Sequence, residues 1–428
     1  VKYGRSGEIV RGSGEGGDRM RLSEYLRRME VDFEGDARAR GDAEEDGELA
    51  APDPPYVFDK QNLLDRNPEV LSMVERYFGF LSKSFGDREV REDNNVFLLG
   101  AAGSGVQLHN HNDAFNVLVH GRKRWFVVPP TRLPPVTFPA YVPMQLWLDV
   151  VANNRSHSRE EDAMQECVQE AGDILYIPAG HYHSTVSLTD TLGLARKLGA
   201  PPDRDSQTWA WTWAQSMGGQ AYGAIEHGRK HAMPFIKEAL DAYDEVVPTV
   251  ASGEDSDSIP RGWVFLPEAA LSKARLMMLG GMPQKARNLI DRVLALGPHS
   301  ESLYLRGVIA FSQGRSERAL ASFEESKALF PHNPLVHEDL AALALLRARA
   351  AERDAHESDA EEEWLAMDAH LAEAERSRRH HPRCCASLRD FDAWSDAVIA
   401  IHEAEGDALE QDLPLRHHSK GQSLWPNF

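Results

Sequence analysis

The chain reads as a mixed fold: a double-stranded β-helix (jelly-roll) barrel with flanking helices, then an all-α domain of helical repeats. Three observations predict this. Between Val96 and Ala195 apolar residues fall in short, period-two runs separated by tight turns, which is strand spacing. In that region His109 and His111 stand one residue apart, and His183 follows a distant Gly-Asp-led run of the same kind. Beyond Pro260 the spacing becomes helical and repeats at a fixed offset.

In chain order, residues 1–19 are rich in Gly, Arg and Glu and read as a disordered N-terminal segment. The barrel domain is placed at 20–200. It opens with helical spacing over Arg21–Glu30 (Leu22, Leu26), a loop over Asp32–Pro55, and an amphipathic helix over Pro68–Gly86 with Leu71, Val74, Tyr77 and Phe78 on one side. Strands are expected over Val96–Leu99, Gly105–His111, Phe115–Val119, Lys123–Val128, Asp173–Ile177, Thr185–Leu188 and Leu192–Ala195, with turns at His120-Gly121 and Thr189-Asp190. Many short strands joined this way suggest two sheets closed over one core. Thr131–Gln169 reads as a loop or small helical insert over the barrel mouth.

Residues 201–250 read as a helical extension of the barrel, where Trp209, Trp211 and Trp213 alternate and are assigned to core. The polar run Gly253–Ser258 marks a linker, placed at 251–262. Residues 263–382 form the repeats and 383–428 a tail. In the repeats an offset of 33 pairs Ala274 with Gly307, Gly281 with Gly314, Ala286 with Ala319, and Pro298 with Pro331. Small residues where helices cross, and a proline closing the second helix, mark a tetratricopeptide-like hairpin. A degenerate third unit runs from Pro334 to Pro382. Such units stack into a concave surface, so their expected task is to hold a partner chain.

Bulk properties narrow the function. A net charge of -20 argues against nucleic acid and anionic membrane as partners. The longest apolar run, Leu340–Leu346, is far too short to cross a bilayer. Between Val96 and Ala200 eight Lys/Arg face nine Asp/Glu, so the barrel is near neutral and the acidity sits in Asp32–Glu48 and Glu352–Glu375. Those flanks read as solvated linker or helix surface, or as a docking face for a basic protein or peptide. Cys167, Cys384 and Cys385 cannot build a disulfide framework, which favours a reducing compartment. No secretory signal opens the sequence, although a chain beginning at Val1 leaves an upstream segment open.

Side chains alternate across a strand, so His109 and His111 point the same way and can grip one ion, with His183 supplied from a second strand. The spacing matches the facial triad that holds non-haem iron(II), except that the middle ligand is histidine rather than carboxylate. Three readings stay open. His109, His111 and His183 hold the metal as a neutral three-histidine set; the triad shifts so that His111 and Asp113 supply the histidine and the carboxylate; or the site is a relic. A 2-oxoglutarate cosubstrate would need a cation for its far carboxylate and a hydrogen-bonding group beside it. Lys123, after a tight turn in an apolar strand, and Asn116, one strand nearer, are the candidates.

The runs LHNHNDAFNVLVHGRKRWFVVPP and AGDILYIPAGHYH resemble the motifs of small jumonji-C hydroxylases, a branch of the cupin superfamily. The resemblance spans about Met20 to Lys197. It implies Fe(II) and 2-oxoglutarate as cofactor and cosubstrate, with His109 and His183 matching metal ligands and Asn116 and Lys123 matching cosubstrate contacts. It also implies a protein side chain as substrate, hydroxylated or, less readily, demethylated. His111 departs from the family pattern, and Ser187 stands where many relatives carry Asn. The alternative class is a silent jumonji-fold scaffold acting through its helical repeats.

Overall fold

Strand Asn95–Gly100 shows how the first half is built, since all six of its residues are buried. Val96 and Leu98 pack with Tyr56 and Val106 inside the barrel. Phe97 and Leu99 face the other way, into a second cluster with Val74, Phe78, Phe115 and Leu194. A strand covered on both faces must read as a continuous apolar run, and this one does. The computed structural model describes residues 2–4, 18–19, 21–27, 29, 54, 56–59, 62–79, 95–133, 148, 164–198, 206–225, 229–247, 265–354 and 356–379.

Among the described residues the strands are β1 Lys2–Gly4, β2 Asp18–Arg19, β3 Tyr56–Asp59, β4 Asn95–Gly100, β5 Gly105–His109, β6 Ala114–His120, β7 Arg122–Val128, β8 Gln165–Glu170, β9 Ile174–Ile177, β10 Tyr182–Ser187 and β11 Thr191–Lys197. They form two antiparallel sheets, β2-β1-β3-β4-β11-β6-β9 and β5-β10-β7-β8. Strands β4 to β11 alternate between the sheets except at β7 and β8, which are neighbours in one sheet, the order a double-stranded β-helix requires. Helix α1 (Asn62–Asp65) and helix α2 (Pro68–Phe78) flank the larger sheet. Buried Arg196 on β11 ties α2 down. It donates to Asn95 Oδ1 at 2.6 Å, pairs with Glu75, and lies 4.7 Å over the Phe78 ring.

Several expectations are corrected here. The N-terminal segment taken as disordered contributes β1 and β2, because Tyr3 pairs with Val57 and Asp18 with Tyr3. The insert taken as irregular to Gln169 ends in β8, held to β7 by six register pairs and by the Arg122–Glu170 and Arg124–Glu166 ion pairs. Its alternation was hidden because β8 is an edge strand with few apolar residues. The helix expected to Gly86 ends at Phe78, and residues 80–94 lie outside the described part, as do Asp32–Glu48 and most of the insert.

The chain divides into two compact units between Gln215 and Ser216. That division falls inside helix α3 (Gln207–Ile225), not at the linker expected over 251–262, which lies outside the described residues. The tryptophans lie on a helix, as expected, but Trp213, assigned to core, is 44% exposed. Trp209 and Trp213, four apart, stack at 5.9 Å, while Trp211 is buried.

The second unit is helical: α4 Arg229–Val246, α5 Pro267–Leu279, α6 Pro283–Leu294, α7 Ser300–Ser312, α8 Ser316–Leu329, α9 Pro334–Arg353 and α10 Glu357–Arg379. Most of the stretch expected to extend the barrel belongs to it: Lys273 on α5 donates to Val247 O at 2.7 Å and pairs with Asp244 on α4. Gly281 and Gly314, 33 apart, both turn the chain at positive φ (+77° and +66°) and close α5 and α7 at matching points. The next position in that series is Arg347, which cannot take this conformation cheaply, so α9 runs on for 20 residues where α5 and α7 have 13. The acidic stretch after Glu352 forms α10. No described helix is long and apolar enough to cross a membrane.

Candidate metal centre

His109 ends β5 and pairs in register with His183 on β10, while His111 follows two residues beyond the strand. A register shift between His183 and Thr185 separates the metal-facing end of β10 from the rest of the ladder. The three imidazoles converge, with centroids 4.2 Å (His109–His183), 4.6 Å (His111–His183) and 5.3 Å (His109–His111) apart. One nitrogen of each lies within 4.8 Å of the others.

The ring orientations say what belongs between them. His111 Nδ1 lies 2.6 Å from Asn112 O and His183 Nδ1 lies 2.9 Å from His181 O, so each Nδ1 carries the proton and donates it to a carbonyl. Their Nε2 lone pairs then face each other across 3.1 Å. Two acceptors at that distance need a cation between them, and a carbonyl behind each ring is the usual support for a ligating histidine. Burial, followed by the charge of Lys197 for His111 and by His109 for His183, holds both rings well below the usual histidine range. They are neutral ligands at physiological pH.

Asp113 does not join this cluster. It is buried, and its Oδ1 accepts from the Tyr176 hydroxyl and from Ala179 N at 3.0 Å, bracing the loop that leads into His183. The shifted triad is therefore not the arrangement that the fold assembles. Helix α3 supports the same region. Thr212 Oγ1 donates to Asn112 Oδ1 at 3.1 Å and Gln215 Nε2 to Asn110 Oδ1 at 3.4 Å, gripping the residues on either side of His111.

Behind the histidines lies a partly open cavity with largely apolar walls from both sheets. Lys123 lines it at 1% exposure and donates from Nζ to Tyr56 Oη at 2.9 Å. Burial alone brings its pKa down to about 7. Asn116 lines it too, and its side-chain oxygen is buried without a hydrogen-bond partner, so a polar guest is needed to satisfy it. The backbone carbonyl of Asn116 accepts from Gln169, which also receives Trp125 Nε1 at 2.9 Å, locking that wall. Ser187 faces Lys123 in register and hydrogen-bonds Thr191 at 2.9 Å. Two site residues went unread in the sequence. Tyr56 comes from a strand outside the motifs, and Lys197 closes a strand whose pattern reads as plain core.

A double-sheet barrel with inward-facing histidines at one end defines the class: residues 15–197 match the family model described as a cupin-like domain, and this stretch is such a domain. Its relatives include proteins named for a jumonji-C domain. JmjC domain-containing protein 8 of Mus musculus is 32% identical over 103 residues, covering 24% of this chain and 36% of that protein. The bifunctional arginine demethylase and lysyl-hydroxylase psr-1 of Caenorhabditis elegans is 28% identical over 156 residues, 33% of this chain and 39% of that one. The 2-oxoglutarate and iron-dependent oxygenase JMJD4 of Danio rerio is 23% identical over 231 residues, 51% of each. The chain thus spans little more than a third of the length of the mouse relative.

Proposed function

We propose that this chain is an iron(II)- and 2-oxoglutarate-dependent oxygenase that hydroxylates a protein side chain. The observation that carries the reading is the pair of Nε2 lone pairs facing across 3.1 Å, completed by His109 and backed by a lysine-bearing cavity. His109, His111 and His183 would hold the ion, and Lys123 and Asn116 the cosubstrate. When bound, iron(II) and 2-oxoglutarate supply the oxidation of a carbon–hydrogen bond by O2. The protein's own groups do the positioning. The carbonyls of Asn112 and His181 keep the rings in the ligating tautomer, Tyr56 orients the Lys123 ammonium, and the apolar walls exclude water.

The helical unit, with its 33-residue tetratricopeptide-like offset, is proposed to hold the substrate or a partner chain. Relatives named for arginine demethylation and lysyl hydroxylation make a protein substrate the natural class. The test is conversion of 2-oxoglutarate to succinate by the iron-loaded chain. Turnover that needs iron and vanishes in His183→Ala supports the reading. A chain that binds metal and 2-oxoglutarate but yields no succinate with any protein extract is a scaffold.

A further inference from the structure

Three more histidines and a carboxylate gather where the last helical hairpin closes. His332 lies in the turn before α9, His337 on α9, and His370 and Glu373 one turn apart on α10. His337 is buried, and its Nε2 donates to Pro331 O at 2.6 Å, so its Nδ1 keeps a lone pair. That lone pair faces His370 Nδ1 across 3.3 Å. His332 Nδ1 lies 4.0 Å from Glu373 Oε1, and Glu373 is near enough to favour the charged form of His337. Helix α10 has little else to hold it. Its inward stripe reads Met367, His370, Leu371, Ala374 and Ser377, and the buried residues among those described are Ala360, Ala374 and Ser377, all small. Its neighbour α9, by contrast, buries every residue from Pro334 to Leu345. A histidine thus stands on α10 where packing alone would place leucine.

We infer that His332, His337, His370 and Glu373 form a second metal site, of the structural zinc kind, that staples α10 to α9. Zinc–nitrogen bonds of about 2.0–2.1 Å at the tetrahedral angle put two ligand nitrogens about 3.3–3.4 Å apart. The His337–His370 pair stands at 3.3 Å, whereas a direct N–H hydrogen bond is usually shorter. The Pro331 carbonyl supports the His337 ring as the Asn112 and His181 carbonyls support the barrel histidines. Four residues separate His332 from His337, within the His-to-His spacing common in zinc sites. The donors stand as two pairs, so binding requires the Glu373 side chain to swing towards His337. Its present partner Arg376 is exposed, and such a surface pair is cheaply given up. His332 and Glu373 are 28% and 22% exposed, which leaves the ion a way in from solvent. Four protein ligands leave no open position, so the ion is structural and not catalytic.

The test uses the full chain carrying His183→Ala, which sets the barrel centre aside. This protein should take up one equivalent of Zn(II) in competition with a chromophoric chelator, and lose it when His370→Ala is added. Co(II) in its place should show the intense visible absorption of a tetrahedral ion. His370→Cys should keep the zinc, because a thiolate ligates it. His370→Gln, which still offers His337 a hydrogen bond, should bind zinc at least about tenfold more weakly, and so should Glu373→Ala at its half-exposed position. Zinc should raise the unfolding temperature of the His183→Ala protein and leave that of the His183→Ala/His370→Ala protein unchanged. No uptake by His183→Ala, or uptake that survives His370→Ala, overturns the inference. So does equal binding in the Cys and Gln variants, which would leave the histidine pair a hydrogen bond only. None of these outcomes bears on the barrel, so the oxygenase reading stands or falls separately.

Discussion

Lys123 Nζ and Tyr56 Oη meet at 2.9 Å inside the barrel, joining a lysine on β7 to a tyrosine on β3, 67 residues earlier in the chain. The tyrosine gives the buried amine one acceptor but no counter-charge, so desolvation lowers its pKa to about 7. A carboxylate guest needs the ammonium form. Affinity for 2-oxoglutarate should therefore be highest below pH 7 and fall by up to about tenfold per unit above it, as each binding event must take up a proton. Calorimetry of the Mn(II)-loaded protein in buffers of different ionisation heat reads that uptake directly. A pH-independent affinity between 6 and 9 would remove Lys123 from the cosubstrate site.

The same group should cost stability. Its folded pKa is depressed below the ordinary lysine value of 10.5, so between pH 7 and 10.5 the unfolded chain holds a proton that the folded chain has lost. Stability contributed by this position thus rises with pH through that window and is lowest at and below pH 7. Lys123→Met should stabilise the ligand-free protein at pH 7 by about 1–3 kcal/mol, less than the desolvation penalty because the Tyr56 hydroxyl loses its partner. It should abolish tight cosubstrate binding at the same time. Thermal unfolding at pH 7 and pH 9.5 checks both sign and slope.

Replacing a metal-facing histidine should separate ligation from packing. His109→Ala and His183→Ala should each weaken Mn(II) or Zn(II) binding by well over tenfold, given that changes merely behind a ligand cost about 10–100-fold. His111→Asp should keep the site but move its preference from zinc towards manganese and iron, since a harder oxygen donor replaces a nitrogen. Competition between Mn(II) and Zn(II) on the two proteins gives the answer. An unchanged ratio would place His111 outside the ligand set.

Much of the barrel was legible because its strands carry local signals. Period-two runs located β4 to β7 and β9 to β11, and His109, His111, His183, Lys123 and Asn116 all reach one cavity. What could not be read depends on pairing between distant segments. Lys2–Gly4 is a strand only because Tyr56–Asp59 offers it an edge, and Gln165–Glu170 lies on an exposed edge where polar residues suffice. Tyr56 joins the site through that same non-local pairing. Lys197 was invisible for another reason. Whether a charged residue at a strand end turns inward depends on the β6 and β11 register, which a single strand does not encode. The helical repeat was read from its glycines and Gln207–Ile225 is helical as expected, but Trp213, assigned to core with Trp209 and Trp211, is 44% exposed, because residues two apart point to opposite sides of a helix.

Gly307 offers a test of the helical packing with an unusual sign. A Cβ there would lie 2.5 Å from the Phe323 ring, which is wholly buried. Glycine to alanine within a helix normally gains up to about 1 kcal/mol, but here overpacking should cost about 1–3 kcal/mol. Adding Phe323→Leu should recover part of the loss by vacating ring volume beside the new methyl. Urea unfolding of the single and double variants measures the coupling. A stabilising Gly307→Ala would mean that α7 and α8 do not pack as closely as the structure places them.

Helix α4 makes the strongest demand on the division of the chain. Its buried face carries Ile236, Ala239, Leu240, Tyr243 and Val246, each no more than 9% exposed, and α5 packs against it through Lys273, whose amine is held by Val247 O and Asp244. A chain ending near Ser252 keeps α4 but loses α5. That face holds the aliphatic side chains Ile236, Leu240 and Val246, each worth about 1.5–3 kcal/mol of burial, and the Tyr243 ring beside them. Asp244 and Val247 also lose the amine that joins them. Such a chain should retain the three histidines and bind metal, because they lie wholly in the first unit. It should also bind a hydrophobic dye, aggregate at lower concentration and unfold at lower temperature than the full chain. Equal solubility and equal heat stability would show that α4 has no need of α5 and that the helices after residue 265 fold as a module of their own.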